Sequence, residues 1–572
     1  MILRDRRLQW GLAAAVLLVL TLFVLYPQTV VLRESLSVTG TGAEVAPPPG
    51  AATHFGWRQF GLVLTDPSYV RAIVNSVWIS LVSVLLAALI GVPAAFLVDR
   101  VRFPGRRLLL VAAVLPLALP PLVGVAAFFD LLSSSGMLAQ MIRAWTGWEP
   151  SLSGWAAVLV VHAYSFSVYF FALTRAGLGR LDPTQEFAAA SLGASFSQRL
   201  RRILLPALRP YLVAAALLTF MTSMSSFTAP YIFELKNYMT VAIFTANREL
   251  LYERAAALAT ILSFVNVGFL IALQFGFGSA WRALGGGSKG ETAPPLRLQF
   301  ASWRTRLALL GGSLVFTLAM LLPFAVIVVE MLADRTAWNA AGTALPPVWT
   351  TAHMTWLVQS SEARAVIFTS VLATGIAVVG NLILAFGAAL MIVRGSRLVR
   401  LVTDLLCMLP LALPGTVIAF NLLRAFANPS WLTLGFTLPS TLAILVLAYF
   451  IRQVPLAVRP VVASMAQVDP IFELAAQGLG ANVWTIFRRV LVPQLWPGVL
   501  AAALLCTVAG LGEYVASVML FSANAKPISI EIAQLARNPA TRGDESALAL
   551  LLVILTLLVL LAYAWLTRPR QR

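Results

Sequence analysis

A stretch of 29 residues occurs twice in this chain. Residues 182–210 read DPTQEFAAASLGASFSQRLRRILLPALRP, and residues 469–497 read DPIFELAAQGLGANVWTIFRRVLVPQLWP. The two copies are offset by 287 positions and are identical at 14 of 29 positions without a gap. A repeat at one fixed offset predicts a chain built from two similar halves.

Each copy has the signals of a short helix, a break and a second, basic helix. Asp182 followed by Pro183 is typical of a helix start, because the carboxylate caps free amides and proline presets φ. The alanines that follow give the helix a small-residue surface, and Gly193 tends to end it. Arginines follow the glycine in both copies. The pattern predicts a docking element that lies at a membrane surface.

Composition indicates a membrane protein. The chain is 59% hydrophobic and 11% charged, which is too apolar for a soluble globule. Its net charge of +18 lies in short segments between apolar stretches, so we interpret it as a topology signal and expect contact with a bilayer and not with nucleic acid. Cys407 and Cys506 both lie within apolar segments and provide no disulfide framework.

The fold class expected is all-α, a polytopic membrane protein with about twelve transmembrane helices in two parallel six-helix repeats with cytoplasmic coupling helices. In the first half the expected spans are 10–32, 75–98, 108–129, 155–173, 207–233 and 255–275. In the second half they are 307–331, 365–393, 401–420, 439–451, 495–521 and 548–565. An even number of spans per half gives both repeats the same orientation and places both termini in the cytoplasm.

The domain organisation follows from this plan. We expect a first six-span repeat at 1–275 with its loop at 182–206, a cytoplasmic linker at 276–306, and a second six-span repeat at 307–572 with its loop at 469–493. The linker is rich in glycine and basic residues, which indicates flexibility. Its GGGSKGET lacks the order of a phosphate-binding loop, so we expect no ATPase in this chain.

A second repeated motif lies in the third span of each half. The sequence LPLALP occurs at 115–120 and again at 409–414. Prolines at this depth kink a helix and free backbone carbonyls, which neighbouring helices or a water-lined cavity must satisfy. The motif is compatible with helix packing or with a transport pathway.

The repeated 29-residue stretch resembles the EAA loop of the permease subunits of binding-protein-dependent ABC importers, where it forms the coupling helix that sits in a groove of the ATPase. The resemblance implies that the following residues couple to the ATPase: Asp182, Glu186, Ala188, Ala189, Gly193, Arg201 and Arg202 in the first copy, and Asp469, Glu473, Ala475, Ala476, Gly480, Arg488 and Arg489 in the second. An ordinary basic cytoplasmic loop would explain the arginines but not the duplicated spacing.

Both copies depart from the family pattern in one respect. The glutamate that normally precedes the two alanines is replaced by Phe187 and Leu474, and Glu186 and Glu473 stand one residue earlier. One residue turns a helix by about 100°. The carboxylate therefore projects in another direction, and the salt bridge of the family cannot simply be carried over.

Few ionisable residues lie within the expected spans, and such residues are functional candidates. Glu513 and Tyr514 lie in the eleventh span, and at offset 287 they correspond to Ser226 and Phe227. These four residues are candidates for lining the translocation path. Equally, Glu513 could form a hydrogen bond to a neighbouring helix and fix packing.

The histidines do not suggest a metal or catalytic site. His162 lies in an apolar run and is interpreted as a core residue. His54 and His353 belong to loops that precede the second span of each half, and no cluster of metal ligands accompanies them. We expect no catalytic residue, no metal and no cofactor held by this chain.

The resemblance implies a fused permease in the cytoplasmic (inner) membrane, with two copies of an ATPase subunit that carry ATP and Mg, and an extracytoplasmic solute-binding protein. Among such importers the chain resembles those for ferric iron, and thiamine, 2-aminoethylphosphonate and polyamine importers remain as alternatives. An intramembrane carboxylate at Glu513 would favour a cationic cargo. The rival hypothesis is a secondary transporter driven by an ion gradient, although such folds often use inverted repeats and these repeats are parallel.

Overall fold

The computed structural model describes residues 6–39, 53–134, 136–148, 151–273, 298–299, 302–341, 343, 345–538 and 541–566. Within these ranges, 11 helices are long and apolar enough to cross a membrane, or up to 12 if one bent pair counts as a single span. The only strands among the described residues are two short pairs, Ser37–Thr39 with Thr53–Phe55 and Val101–Arg102 with Leu298–Gln299. The all-α class is confirmed. Most of the expected linker lies outside the described residues.

The described residues of the first half form fourteen α-helices. They are α1 Arg6–Leu20, α2 Tyr26–Ser35, α3 Arg58–Thr65, α4 Pro67–Arg100, α5 Arg106–Val114, α6 Pro121–Leu132, α7 Met137–Thr146, α8 Gly154–Leu178, α9 Pro183–Ser191, α10 Phe196–Arg199, α11 Leu205–Met224, α12 Thr228–Ile232, α13 Met239–Arg248 and α14 Tyr252–Ile271. A π-helical segment, Thr21–Leu25, joins α1 to α2, and another, Leu200–Leu204, joins α10 to α11.

The helices described in the second half follow the same order. They are α15 Trp303–Leu332, α16 Arg335–Ala341, α17 Ala352–Gln359, α18 Ser361–Arg394, α19 Arg397–Ala412, α20 Gly415–Ala425, α21 Leu442–Met465, α22 Ile471–Gly478, α23 Val483–Ile486, α24 Val492–Leu511, α25 Ser517–Leu520, α26 Ile528–Leu535 and α27 Arg542–Leu566. A π-helical segment, Phe487–Leu491, joins α23 to α24, in the place that Leu200–Leu204 occupies in the first half.

The third span of each half is broken at its prolines, as the LPLALP motif predicts. In the second half α19 and α20 meet at an angle of 106°, and Pro414 directly precedes α20. In the first half a 3-10 turn, Leu115–Ala118, separates α5 from α6. There the stretch that is long and apolar enough to cross is Pro121–Thr146, which overlaps the expected span 108–129 and extends beyond its end.

Three other expected spans differ in detail from the structure. The tenth span was expected to end at residue 451, but α21 continues to Met465 and contains Pro455 and Pro460. A proline removes one backbone hydrogen bond, and a helix tolerates this where neighbours pack around it, as they do around the buried Pro455. In the first half the candidate span Phe196–Ile232 agrees with the expected end at residue 233, although α11 itself ends at Met224. In the second half the candidate span is Val483–Leu511, which ends before the expected residue 521.

An additional helix lies between the fifth and sixth spans of each half, and the sequence reasoning did not anticipate it. The backbone amide of Met239 at the start of α13 donates to Ser76 Oγ over 2.9 Å. The amide of Ile528 at the start of α26 donates to Ser370 Oγ over 2.7 Å. The same contact therefore anchors α13 to α4 and α26 to α18, which shows that the duplication extends to tertiary structure.

The two halves interlock through their first spans. Val16 of α1 packs against Gly387 of α18. A Cβ atom added to Gly387 would lie only 2.8 Å from the Val16 side chain. On the other side, the Tyr164 hydroxyl of α8 donates to the carbonyl of Met320 in α15 over 3.0 Å. The first span of each half therefore packs against the other half, so the halves share a continuous core.

Candidate functional site: coupling loops and the helix breaks

The two predicted coupling loops, residues 182–206 and 469–493, have the same local geometry. Asp182 accepts a hydrogen bond from the Thr184 amide and Asp469 accepts one from the Ile471 amide, each over 2.9 Å. The hydrogen bond from the Thr184 amide lowers the pKa of the Asp182 carboxyl below its usual value. α9 and α10 follow the first cap, and α22 and α23 follow the second. The predicted order of helix, break and second helix is confirmed in both loops.

Gly193 and Gly480 stand at the breaks for a conformational reason. Their φ angles are +81° and +78°, in the left-handed region that other residues adopt at a cost. A Cβ atom at either glycine would meet nothing within 4 Å among the described residues. Within this chain, backbone geometry and not crowding requires glycine at the break.

The carboxylates of the loops face the interior of the protein. Glu186 forms an ion pair with Arg100 over 3.0 Å, and Glu473 forms one with Arg394. Both glutamates are at most 3% exposed. Arg100 and Arg394 are the last residues of α4 and α18, which are the second spans of the two halves. Each loop is therefore tied to the second span of its own half.

The exposed surface of the loops is apolar at its centre and basic beside it. Leu192 and Leu479, which directly precede the glycines, are each 89% exposed. Among the predicted coupling residues, Ala188, Ala475, Arg201, Arg202, Arg488 and Arg489 are exposed, whereas Ala189 and Ala476 are half-buried. The sequence reasoning did not select the two leucines, although their identity in both copies was a signal. Leu192 and Leu479 are available to an external partner.

Glu513 lies in the break that follows α24 and not within a helix. Its Oε2 atom accepts from Arg452 Nε over 2.6 Å, and its Oε1 atom accepts from the Ala516 amide over 3.0 Å. Its backbone carbonyl accepts from the hydroxyls of Ser517 and Ser529. These contacts support the structural interpretation of Glu513, because its charge is matched by Arg452 within the chain.

Ser226 occupies the corresponding break after α11 and has a neutral partner. Nε2 of His162 lies 3.0 Å from Ser226 Oγ, while its Nδ1 lies 3.0 Å from Ser83 Oγ and 3.1 Å from Ser223 Oγ. The Ser226 carbonyl accepts from the Thr240 hydroxyl over 2.6 Å. His162 is a buried residue with hydrogen-bond partners, as interpreted from the sequence.

Phe227 and Tyr514 are the candidates that meet across the two halves. Their ring centroids lie 6.3 Å apart, and both rings are almost fully buried. Tyr514 also lines a cavity of about 1220 Å³ that lies between the halves. Ser226, Phe227 and Glu513 do not line it. Of the four predicted path residues, the structure therefore places only Tyr514 at this cavity.

The cavity lies at the end of the helices opposite the coupling loops. It reaches Asp66 at the start of α4, whereas Arg100 at the other end of this helix contacts the first loop. Its wall combines aromatic and charged side chains, including an Arg537 guanidinium that donates to the Tyr231 hydroxyl over 2.9 Å. The described residues contain no group of three or more histidine, cysteine or acidic side chains that could hold a metal ion.

Comparisons with known proteins agree with the duplicated plan. A family described as "Binding-protein-dependent transport system inner membrane component" matches residues 87–276 and again residues 381–570. A probable ABC transporter permease protein of Sinorhizobium fredii is 29% identical over 86% of both chains. An Fe(3+)-transport system permease protein of Haemophilus influenzae is 25% identical over 84% of this chain and 87% of its own. A sulfate transport system permease protein of Salmonella typhimurium is 29% identical over 39% of this chain and 81% of its own.

Proposed function

The chain belongs to the binding-protein-dependent transport system inner membrane component family, as a fused permease of an ABC importer, and we propose that it docks two ATPase subunits through its two coupling loops. The observation that carries the proposal is the duplicated helix, glycine and helix geometry with Leu192 and Leu479 exposed. ATP and Mg bind the ATPase subunits, and hydrolysis there drives the permease. An extracytoplasmic solute-binding protein delivers the cargo at the opposite end.

Co-purification with the ATPase tests the docking role. Gly193→Arg and Gly480→Arg each place a long charged side chain on an exposed loop, so each should weaken assembly and the double variant should prevent it. Gly435→Arg is a matched control, because Gly435 also has a positive φ of +82°, is exposed and lies in the loop between α20 and α21 at the opposite end. Normal amounts of ATPase with the double variant would contradict the docking role.

We also propose that the coupling loops and both termini lie in the cytoplasm. Basic segments favour this side, and Arg201, Arg202, Arg488 and Arg489 of the two loops are exposed. In a Cys407→Ala, Cys506→Ala background, Ser197→Cys and Thr485→Cys should react with an impermeant thiol reagent only when the cytoplasmic face is open.

A cysteine at Trp431 is the control for the opposite side. Trp431 is 79% exposed in the loop between α20 and α21, so Trp431→Cys should react in intact cells. Reaction of the two loop cysteines in intact cells would overturn the orientation.

For the cargo we propose ferric iron. The support is that relatives named as ferric transport permeases match this chain across both of its halves. The electrostatic argument from Glu513 lends no support, since Arg452 already matches its charge. Thiamine, 2-aminoethylphosphonate, polyamine and sulfate are the competing cargoes.

Reconstitution with the cognate ATPase and binding protein tests the cargo. Vesicles should take up ferric iron only in the presence of ATP and of both partners. Selective thermal protection of the binding protein by a competing cargo, with none by ferric iron, would reject the iron proposal. Uptake driven by an imposed ion gradient without ATP would instead favour a secondary transporter.

A further inference from the structure

The two coupling loops share one backbone geometry but present different side chains to a partner. Their exposed parts are two docking segments, residues 182–199 and 469–486, and the structure describes every residue of both. The capped helix start, the break and the ion pair with the second span occur in each. Because the geometry is common, the segments can be compared position by position.

The second docking segment exposes the larger apolar surface. Its exposed large apolar side chains are Ile471, Phe472, Leu474, Leu479, Val483 and Trp484. In the first docking segment, which is also fully described, they are Phe187 and Leu192. Burial of apolar surface is the main favourable term when two proteins associate. The second segment therefore offers a partner more binding energy than the first.

Three pairs of corresponding positions account for most of the difference. At each pair an exposed polar residue of the first segment is replaced by an exposed apolar residue of the second. The pairs are Thr184 and Ile471, Gln185 and Phe472, and Ser197 and Trp484. The chain itself therefore supplies the matched substitutions for a test.

The apolar face of α22 points away from the body of the protein. Glu473 is buried and forms an ion pair with Arg394. Two residues correspond to a rotation of about 200° along a helix, so Ile471 lies almost opposite Glu473. Ile471, Ala475 and Leu479 follow at intervals of four residues, which places them on one face. This face is continuous with Leu479, so a partner that covers Leu479 also covers Ile471.

Trp484 is held in place before any partner arrives. Its ring stacks on Phe487, with centroids 5.2 Å apart, and Phe487 contacts Phe386 of α18 edge-on over 4.8 Å. A side chain that is already ordered loses little conformational freedom on binding, and tryptophan is enriched among the residues that dominate interfaces. Ser197 and Leu200 stand at the places of Trp484 and Phe487 in the first loop, so this aromatic stack is specific to the second.

We propose that the two loops are unequal docks, and that the second loop binds the ATPase more tightly and receives the first ATPase subunit during assembly. The proposal rests on the proposed function, which assigns Leu192 and Leu479 to the ATPase interface. The additional apolar side chains adjoin Leu479 on the same face, so the same partner covers them. At limiting ATPase, the complex with one subunit should carry it on the second loop.

Titration of the purified full-length permease with its nucleotide-free ATPase subunit measures each loop by itself. Gly193→Arg leaves the second loop available, and Gly480→Arg leaves the first. The ATPase should bind Gly193→Arg at least about tenfold more tightly than Gly480→Arg, because loss of a single interface tryptophan can have an effect of this size.

Exchange of the three side chains then tests the cause. In Gly193→Arg, the substitutions Ile471→Thr, Phe472→Gln and Trp484→Ser should weaken binding to the level of the first loop. In Gly480→Arg, the reverse substitutions Thr184→Ile, Gln185→Phe and Ser197→Trp should tighten binding at least about tenfold, a gain that misfolding cannot produce.

Trp431→Ser is the control for a general effect of removing an exposed tryptophan. Trp431 is exposed in the loop between α20 and α21, at the opposite end of the helices. Its replacement should change the affinity for the ATPase by no more than about twofold, because distant sites contribute independently.

The outcomes separate this proposal from the docking role itself. Equal affinity at the two loops, or tighter binding at the first, would overturn the inequality and leave docking intact. Unchanged affinity in both sets of exchanged variants would also overturn it, since the apolar side chains would then face something other than the ATPase, such as lipid. Failure of the wild-type permease to bind the ATPase would reject the docking role.

Discussion

Replacing Glu186 by glutamine should release the first coupling loop from the second span. The side chains of Arg100 and Glu186 are 3% and 5% exposed, so the variant removes the negative charge of Glu186 from beside a buried guanidinium. Removing one partner of a buried ion pair costs about 3–5 kcal/mol. Because the loop lies at the surface and can relax, we expect the lower value of about 3 kcal/mol, which corresponds to about a hundredfold in the local opening equilibrium.

Hydrogen–deuterium exchange of the purified permease measures this opening. Amides of α9 should exchange about a hundredfold faster in Glu186→Gln, because exchange follows the local opening equilibrium. The double variant with Arg100→Gln should exchange more slowly than the single variant, since it removes the unmatched charge. The same pair of experiments applies to Glu473 and Arg394 in the second loop.

The neighbouring pair of Asp99 and Arg175 provides the control. Its side chains are 18% and 35% exposed, so water screens the pair and it contributes about 1 kcal/mol or less. Asp99→Asn is the matched substitution, because it replaces the carboxylate by an amide of the same size. If Glu186→Gln raised α9 exchange no more than Asp99→Asn, the buried pair would not hold the loop and the reasoning would be refuted.

Three further predictions concern single contacts. Glu513→Gln should destabilise the protein by about 2 kcal/mol, because a charged hydrogen bond is lost, and combination with Arg452→Gln should restore much of the melting temperature. Gly480→Ala should accelerate hydrogen exchange in α22 about fivefold, because the left-handed conformation costs a non-glycine residue about 1 kcal/mol. The hydrogen bond with Asp544 is the main cause that raises the pKa of His353 above its usual value. The stabilisation by this contact is therefore full below the usual pKa of about 6.5 and is lost as the pH rises through the raised value, so α17 exchange should increase over that window in the wild type and not in His353→Gln.

The duplicated plan and much of the local structure could be predicted from the sequence. The repeat specifies two similar halves, Asp182 and Asp469 specify the helix starts, and Gly193 and Gly480 specify the breaks. The existence of the transmembrane spans follows from the length of the apolar stretches, because a helix needs about 20 apolar residues to cross a bilayer. These features depend on residues close together in the chain, so a linear pattern contains them.

The partners of the charged residues were decided by tertiary structure. Glu186 pairs with Arg100, and Glu513 pairs with Arg452, in each case on a different helix. The sequence shows a costly intramembrane carboxylate but not which helix supplies its counter-charge, because that depends on how the helices pack. The same reason applies to the buried cluster of Asp130, Glu330, Arg335, Arg542 and Glu545, which forms only where α6, α15, α16 and α27 meet beside the cavity.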